Sequence, residues 1–225
     1  MNRIIKNILP FIAALPFCCA AFFSPMHAMA DEYWDRKVSL FDSIPVYRED
    51  IVFLGNSITD GGEFNELFKL ENIKNRGIRS DVIDGVLKRL DQVTDGHPAK
   101  IFLLIGINDV AHNLTPARLA DKYERLVKAI REKSPETRLY IQSVMPVNND
   151  FRRYKTLTGK EKTIVEFNKL IKKIAEENNA TYINLWPYLA DKNGKLYRRY
   201  TNDGLHLTGA GYKAWTAGIK KYVAE

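Results

Sequence analysis

Short continuous apolar runs alternate with stretches of helical periodicity along most of this chain. Ile51-Val52-Phe53-Leu54 ends at Gly55, and Ile101 to Ile105 ends at Gly106; Leu139 to Val144 and Thr181 to Leu185 are two more such runs. Runs of this length, rich in Ile, Val and Leu, predict strands buried on both faces of a parallel sheet. Between them, Leu119, Tyr123, Leu126 and Ile130 recur at helical spacing behind Thr115-Pro116, a capping residue followed by proline at the first helical position. Ile164, Phe167, Ile171 and Ile174 mark a second helix face. Ile83, Val86, Leu87 and Leu90 mark a third, with Ser80 or Asp81 as its cap, and Tyr212, Trp215, Ile219 and Tyr222 a fourth behind Thr208. Such alternation predicts a three-layer α/β domain with a mainly parallel sheet. Ligands of such sheets bind beyond the carboxyl ends of the strands, which singles out the residues that follow each run.

The first 30 residues break this pattern. Arg3 and Lys6 open the chain, Ile8 to Phe23 is almost wholly apolar with Pro10 and Pro16 inside it, and Ala28-Met29-Ala30 precedes Asp31. A positive start, a short apolar stretch and a small-x-small site predict a cleaved signal peptide over residues 1–30, a single domain over 31–225, and export to the periplasm or beyond. The apolar stretch is shorter than a spanning helix needs, so stable membrane insertion after cleavage is not expected. Lipidation at Cys18 or Cys19 would want small residues ahead of it, where Leu15-Pro16-Phe17 stand. Both cysteines fall in this leader, so the mature chain has no thiol nucleophile and no thiolate metal site. Removing it lowers the net charge from +7 to +5, with 32 basic residues against 27 acidic ones. The excess is spread along the chain and reads as a solvated surface rather than a nucleic-acid stripe.

The candidate chemistry lies at the strand ends. Gly55-Asn56-Ser57-Ile58-Thr59-Asp60 puts a serine hydroxyl between a strand and a helix start, where a nucleophile could build an oxyanion beside backbone N–H groups; the plain alternative is a helix cap. Asn75-Arg76-Gly77-Ile78-Arg79 follows the second expected strand, and Gly77 would let a backbone N–H approach a ligand. Gly106-Ile107-Asn108-Asp109 offers a side-chain amide donor or an Asx turn. Asp203-Gly204-Leu205-His206 spaces a carboxylate and an imidazole so that they can touch, leaving one ring nitrogen as a base. His97 and His112 read as structural or surface residues.

Taken together, the ordered Ser, Gly, Asn and Asp-x-x-His blocks resemble those of the SGNH hydrolases, the superfamily of GDSL esterases and lipases, from about Ile51 to the C-terminus. The resemblance implies a flavodoxin-like five-stranded sheet in order 2-1-3-4-5, with no metal and no cofactor. It implies Ser57 as nucleophile, His206 as base, Asp203 as its orienting acid, and an oxyanion hole from Ser57, Gly77 and Asn108. Two positions depart from the usual blocks: Asn56 replaces an aspartate, and Arg79 stands where a small residue is common, so both are candidate substrate contacts. The blocks look similar to those of exported bacterial carbohydrate O-acetylesterases, sialate O-acetylesterases among them, which implies a small-molecule or glycan ester as partner; no oligomeric state is implied. Rival readings are a lysophospholipase or thioesterase on the same scaffold, a non-catalytic carbohydrate-binding protein, and a flavodoxin-like nucleotide or flavin binder. An ordinary α/β-hydrolase is disfavoured because Gly55-Asn56-Ser57-Ile58-Thr59 lacks the second glycine of the nucleophile elbow.

Overall fold

The computed structural model describes residues 25–225, with side chains from Glu32 onward. Of the expected leader, residues 1–24 lie outside the described residues. The chain runs α1 (Pro25–Ser43), β1 (Ile51–Gly55), α2 (Ser57–Asp60), α3 (Phe64–Phe68), β2 (Ile73–Gly77), α4 (Ile83–Lys88), α5 (Asp91–Thr94), β3 (Lys100–Leu104), α6 (Ile107–Ala111), α7 (Pro116–Lys133), β4 (Arg138–Gln142), α8 (Glu161–Glu177), β5 (Thr181–Ile183), α9 (Trp186–Leu189) and α10 (Gly209–Ala224). The five strands are all parallel, in order β2-β1-β3-β4-β5, as expected.

The period of two along each strand sorts the core into two layers. Phe53, Phe102 and Tyr140 are register partners on neighbouring strands and stack across the sheet, with ring centroids 5.0 and 4.6 Å apart. Phe64 of α3 lies on Phe53 at 4.0 Å, and Trp215 of α10 meets Phe64 edge-on at 5.0 Å. The intervening residues, including Val52, Leu54, Ile101, Leu103 and Ile141, are fully buried. They serve the other face, where α4, α7 and α8 pack side by side and Tyr123 meets Phe167 edge-on. Each such side chain contributes about 1.5–3 kcal/mol by leaving water. Phe64, Met145 and Val147 are buried parts of this core.

Three local expectations are revised. Asn75, Arg76 and Gly77 are the last three residues of β2, not a loop after it. The cap of α4 is supplied from elsewhere: the Asp109 carboxylate accepts the Ile83 N–H at 3.1 and 3.3 Å, while Asp81 takes the Val82 N–H. Thr208 does precede α10, but its hydroxyl donates to the Arg199 carbonyl instead of capping. The nine residues of α1 from Tyr33 to Phe41 dock the helix on the domain. Tyr33 Oη donates to Asp60 (2.7 Å), Trp34 Nε1 donates to Asp81 (3.2 Å), Lys37 pairs with Asp60 (2.9 Å) and Phe41 is buried.

Candidate active site

The carboxyl edge of β1 ends at Gly55, and the chain turns at once into α2. Asn56, buried, accepts the Ile58 N–H on its side-chain oxygen at 3.0 Å and is the cap of α2. This settles two expectations. Ser57 is the first residue inside the helix rather than its cap, so its hydroxyl is free for other work. Asn56 is occupied in the interior and is not among the residues lining the crevice described below, so it is not placed to touch substrate.

Ser57 Oγ lies 2.9 Å from His206 Nε2. On the far side of the ring, His206 Nδ1 lies 2.7 Å from Asp203 Oδ2. The loop that carries them is folded by its own polar groups. Asp203 Oδ1 accepts the Leu205 and His206 N–H groups at 2.9 and 2.8 Å, and Thr201 Oγ1 accepts the Gly204 N–H at 2.9 Å. Gly204 stands at φ +90° with its Cα against the Asn148 carbonyl, a conformation and a clearance that a side chain would lose. Burial alone would raise the Asp203 carboxyl. The His206 ring, the two backbone donors and the Tyr154 hydroxyl outweigh it and pull the group down to about 2. Asp203 is thus an anion across the working range, and it holds the ring with Nδ1 protonated and Nε2 facing the serine.

The third side of the site comes from β2 and β3. Asn108 Nδ2 donates one hydrogen to the Asp81 carbonyl at 2.8 Å, which orients the amide and leaves its second hydrogen for the crevice. Asp81 is itself gripped by Arg89, whose Nε lies 2.8 Å from Oδ2 while Nη2 donates to the carbonyls of Gly55 and Arg76. Both members of this pair are almost wholly buried. Burial pushes the carboxyl up and the guanidinium down, and the hydrogen bonds oppose both shifts. One buried arginine therefore ties together the strand end before Ser57, the end of β2 and the carbonyl that aims Asn108.

Gly77 does not join them. Its N–H donates to Asn75 Oδ1 at 2.8 Å, and its Cα abuts the backbone of α2, where a Cβ would come within 2.1 Å of the Asp60 nitrogen. Glycine is needed there for close packing, which presents in sequence as the same signal as close approach to a ligand. The residue that reaches the crevice is Ser80, three positions on, at φ +62°. The backbone N–H groups of Ser57 and Ser80 have no hydrogen-bond partner among the described residues.

Ser57, Ser80, Asn108 and His206 line a crevice of about 500 Å³, together with Arg79, Ala111, Tyr154, Leu157, Leu205 and Tyr212. Arg79 is largely exposed, steadied by Asp60 (3.4 Å) and the Tyr33 ring (5.4 Å). Of the other arginines of the C-terminal loops, Arg198 lies over the Phe151 ring and Arg199 over those of Tyr197 and Tyr200. A second cavity of about 440 Å³ between α1 and the α4–α5 segment contains none of the motif residues. Among the described residues, no group of three or more His, Cys, Asp or Glu is placed to hold a metal ion, and no helix is long and apolar enough to cross a membrane. The sequence context of Tyr154 carries no signal of this role, because its partners lie about fifty residues further along the chain. Chemically, a hydroxyl on a ring nitrogen, a carboxylate behind the ring and unpaired N–H donors alongside make a site for acyl transfer.

Comparison with known proteins gives the fold and the family. A Streptococcus pneumonia protein named for platelet activating factor superposes with a TM-score of 0.81 at 27% identity, over 88% of this chain and 96% of that one. An acetylxylan esterase from Geobacillus stearothermophilus shares the fold, with a TM-score of 0.63 at 18% identity over 81% and 97% of the two chains. The N-acylneuraminate cytidylyltransferase of Escherichia coli O18:K1:H7 is 26% identical over 184 residues, 79% of this chain; the chain spans only 40% of that relative's length. The profile of the GDSL-like lipase/acylhydrolase family matches residues 53–214, a stretch that holds Ser57, Asn108, Asp203 and His206. The chain belongs to the GDSL-like lipase/acylhydrolase family, whose chemistry is carboxylic ester hydrolysis.

Proposed function

We propose that this protein removes short acyl groups, acetyl first among them, from carbohydrate esters through an acyl-enzyme on Ser57. The observation that carries the reading is the relay of 2.9 and 2.7 Å from Ser57 Oγ through His206 to Asp203, opening on one crevice with Asn108. His206 Nε2 takes the serine proton as Oγ attacks the ester carbonyl carbon. The oxyanion is held by the N–H groups of Ser57 and Ser80 and the free amide hydrogen of Asn108. Collapse expels the alcohol, which takes the proton from His206; water, deprotonated by the same ring, then releases the acid and restores Ser57.

The carbohydrate part rests on resemblance and on Arg79. The acetylxylan esterase and the N-acylneuraminate cytidylyltransferase both carry sugar substrates in their names. Arg79, exposed at the crevice and tethered on one side only, suits an anionic group on the sugar. We also read residues 1–30 as a leader cleaved before Asp31 on export. The α1 residues that dock on the domain all follow that point, so cleavage would leave them in place.

The test is an acyl-chain series. Nitrophenyl esters of two, four, eight and twelve acyl carbons are assayed with the parent protein and Ser57→Ala. Turnover that depends on Ser57, is highest for acetate and falls with length supports the reading, and acetylated acidic and neutral sugars follow. A preference for eight or twelve carbons moves the function to a lysophospholipase or thioesterase. No turnover on any ester would leave a carbohydrate-binding protein in its place.

A further inference from the structure

Tyr154 belongs to no element of the sheet and to none of the four motif blocks. It stands between two single 3-10 turns, Asn149–Phe151 and Lys155–Leu157, in the segment that links β4 to α8. Its hydroxyl donates to Asp203 Oδ2 at 3.0 Å, the same oxygen that faces His206 Nδ1, and lies 3.1 Å from Nδ1 itself. Its ring meets the imidazole edge-on, with centroids 5.7 Å apart. Burial, then the bond to Asp203 and that carboxylate's charge, push the Tyr154 hydroxyl up to about 12, so it stays a donor. With Leu205 N–H, His206 N–H and Thr201 Oγ1 on the other oxygen, both Asp203 oxygens are fully engaged.

We infer that Tyr154 is a positioning residue of this site: it locks the Asp203 carboxylate from outside the His loop and shares with the His206 ring the oxygen that steadies it. The inference rests on the reading of His206 as the base.

The shared oxygen sets the sign of the effect. A hydroxyl that donates to Oδ2 takes up part of its negative charge. Without it, the charge concentrates on the oxygen facing Nδ1 and stabilises the protonated imidazole, which is no longer a base. The other groups that can bias this ring are Arg79 across the crevice and Tyr212 from α10; Arg153 acts on the Tyr154 hydroxyl. All of them remain when only the Tyr154 oxygen is removed. A tyrosine that was merely a wall of the crevice would lose nothing but packing.

The experiment is Tyr154→Phe, which keeps the ring, in two arms. In the first, kcat/KM for the acetyl ester is followed from pH 5 to 9. The acid limb moves up by about half to one pH unit, so the variant is roughly 3- to 10-fold slower below the limb and close to the parent at pH 9. In the second, the His206 ring is titrated by NMR in Ser57→Ala and in Ser57→Ala/Tyr154→Phe, and its midpoint rises by the same amount. This arm needs no turnover, so it judges Tyr154 even if Ser57 proves not to be the nucleophile. An unmoved midpoint with an equal loss at every pH, in a variant whose thermal unfolding matches the parent, would overturn the inference.

Discussion

The Ser57 half and the His206 half of the crevice are held by different means. Ser57 and Asn108 sit directly beyond β1 and β3, and behind them the buried Arg89–Asp81 pair joins three backbone segments. His206 sits in a loop with no strand beneath it, and its position comes from side chains that converge on Asp203. The two carboxylates show the contrast. Asp109, buried behind Asn108 with few donors, is pushed up to about 6; Asp203, with donors on both oxygens, is pulled down to about 2. The sheet side is joined by a buried ion pair whose two charges offset each other, whereas the loop is anchored on one carboxylate held by hydrogen-bond donors.

If the loop depends on that anion, the largest effect should come from Asp203→Asn. The backbone turn can survive, but the amide favours the wrong ring tautomer, and kcat should fall by about 10³–10⁴. Steady-state kinetics beside thermal unfolding would check it; a loss below tenfold would mean that the ring is held by other means. On the sheet side, Arg89→Met leaves Asp81 buried without its partner. Denaturant unfolding should show a loss of about 3–5 kcal/mol, with activity per folded molecule reduced because the carbonyl that aims Asn108 is released. A stable, fully active Arg89→Met protein would break the claim that this pair organises the site. Asn108→Ala should act on the chemical step alone, lowering kcat by about 10²–10³, or roughly 2.7–4 kcal/mol, with little change in KM.

The smallest effect concerns Asp109. Its carboxyl is raised in the folded chain from 3.8 to about 6, chiefly by burial. A group raised in this way binds its proton more tightly folded than unfolded. Its contribution is therefore complete below about pH 4 and is lost as the pH rises through about 6. The full swing is about 2–3 kcal/mol. Asp109→Asn keeps an oxygen for the Ile83 N–H and does not ionise. Its stability should be flatter than the parent's between pH 4 and 7 and higher at pH 8, and urea midpoints at the two ends would show whether it is.

The residues legible in sequence were those whose partners are close in the chain or fixed by the sheet. Ser57 and Asn108 are announced by the strands that end before them, and Asp203 and His206 by a spacing of three. The sequence signal of Gly77 points to the oxyanion because a glycine that admits a helix backbone and a glycine that admits a ligand leave the same trace. Ser80 reads in sequence only as a helix cap, since the φ of +62° that turns it to the crevice is visible only in the fold. Tyr154 and the Asp109 cap of α4 depend on contacts across 49 and 26 positions, which no local pattern encodes. The sheet order was available because it follows from the resemblance carried by the motif blocks.

Covalent labelling reads the Ser57–His206 relay directly. The parent protein, His206→Ala and Ser57→Ala are each treated with a fluorophosphonate, and intact mass and peptide mapping follow. One adduct is expected on the parent, located on Ser57, formed far more slowly in His206→Ala and absent in Ser57→Ala. An adduct on another residue, or ester turnover that persists in Ser57→Ala, would contradict it.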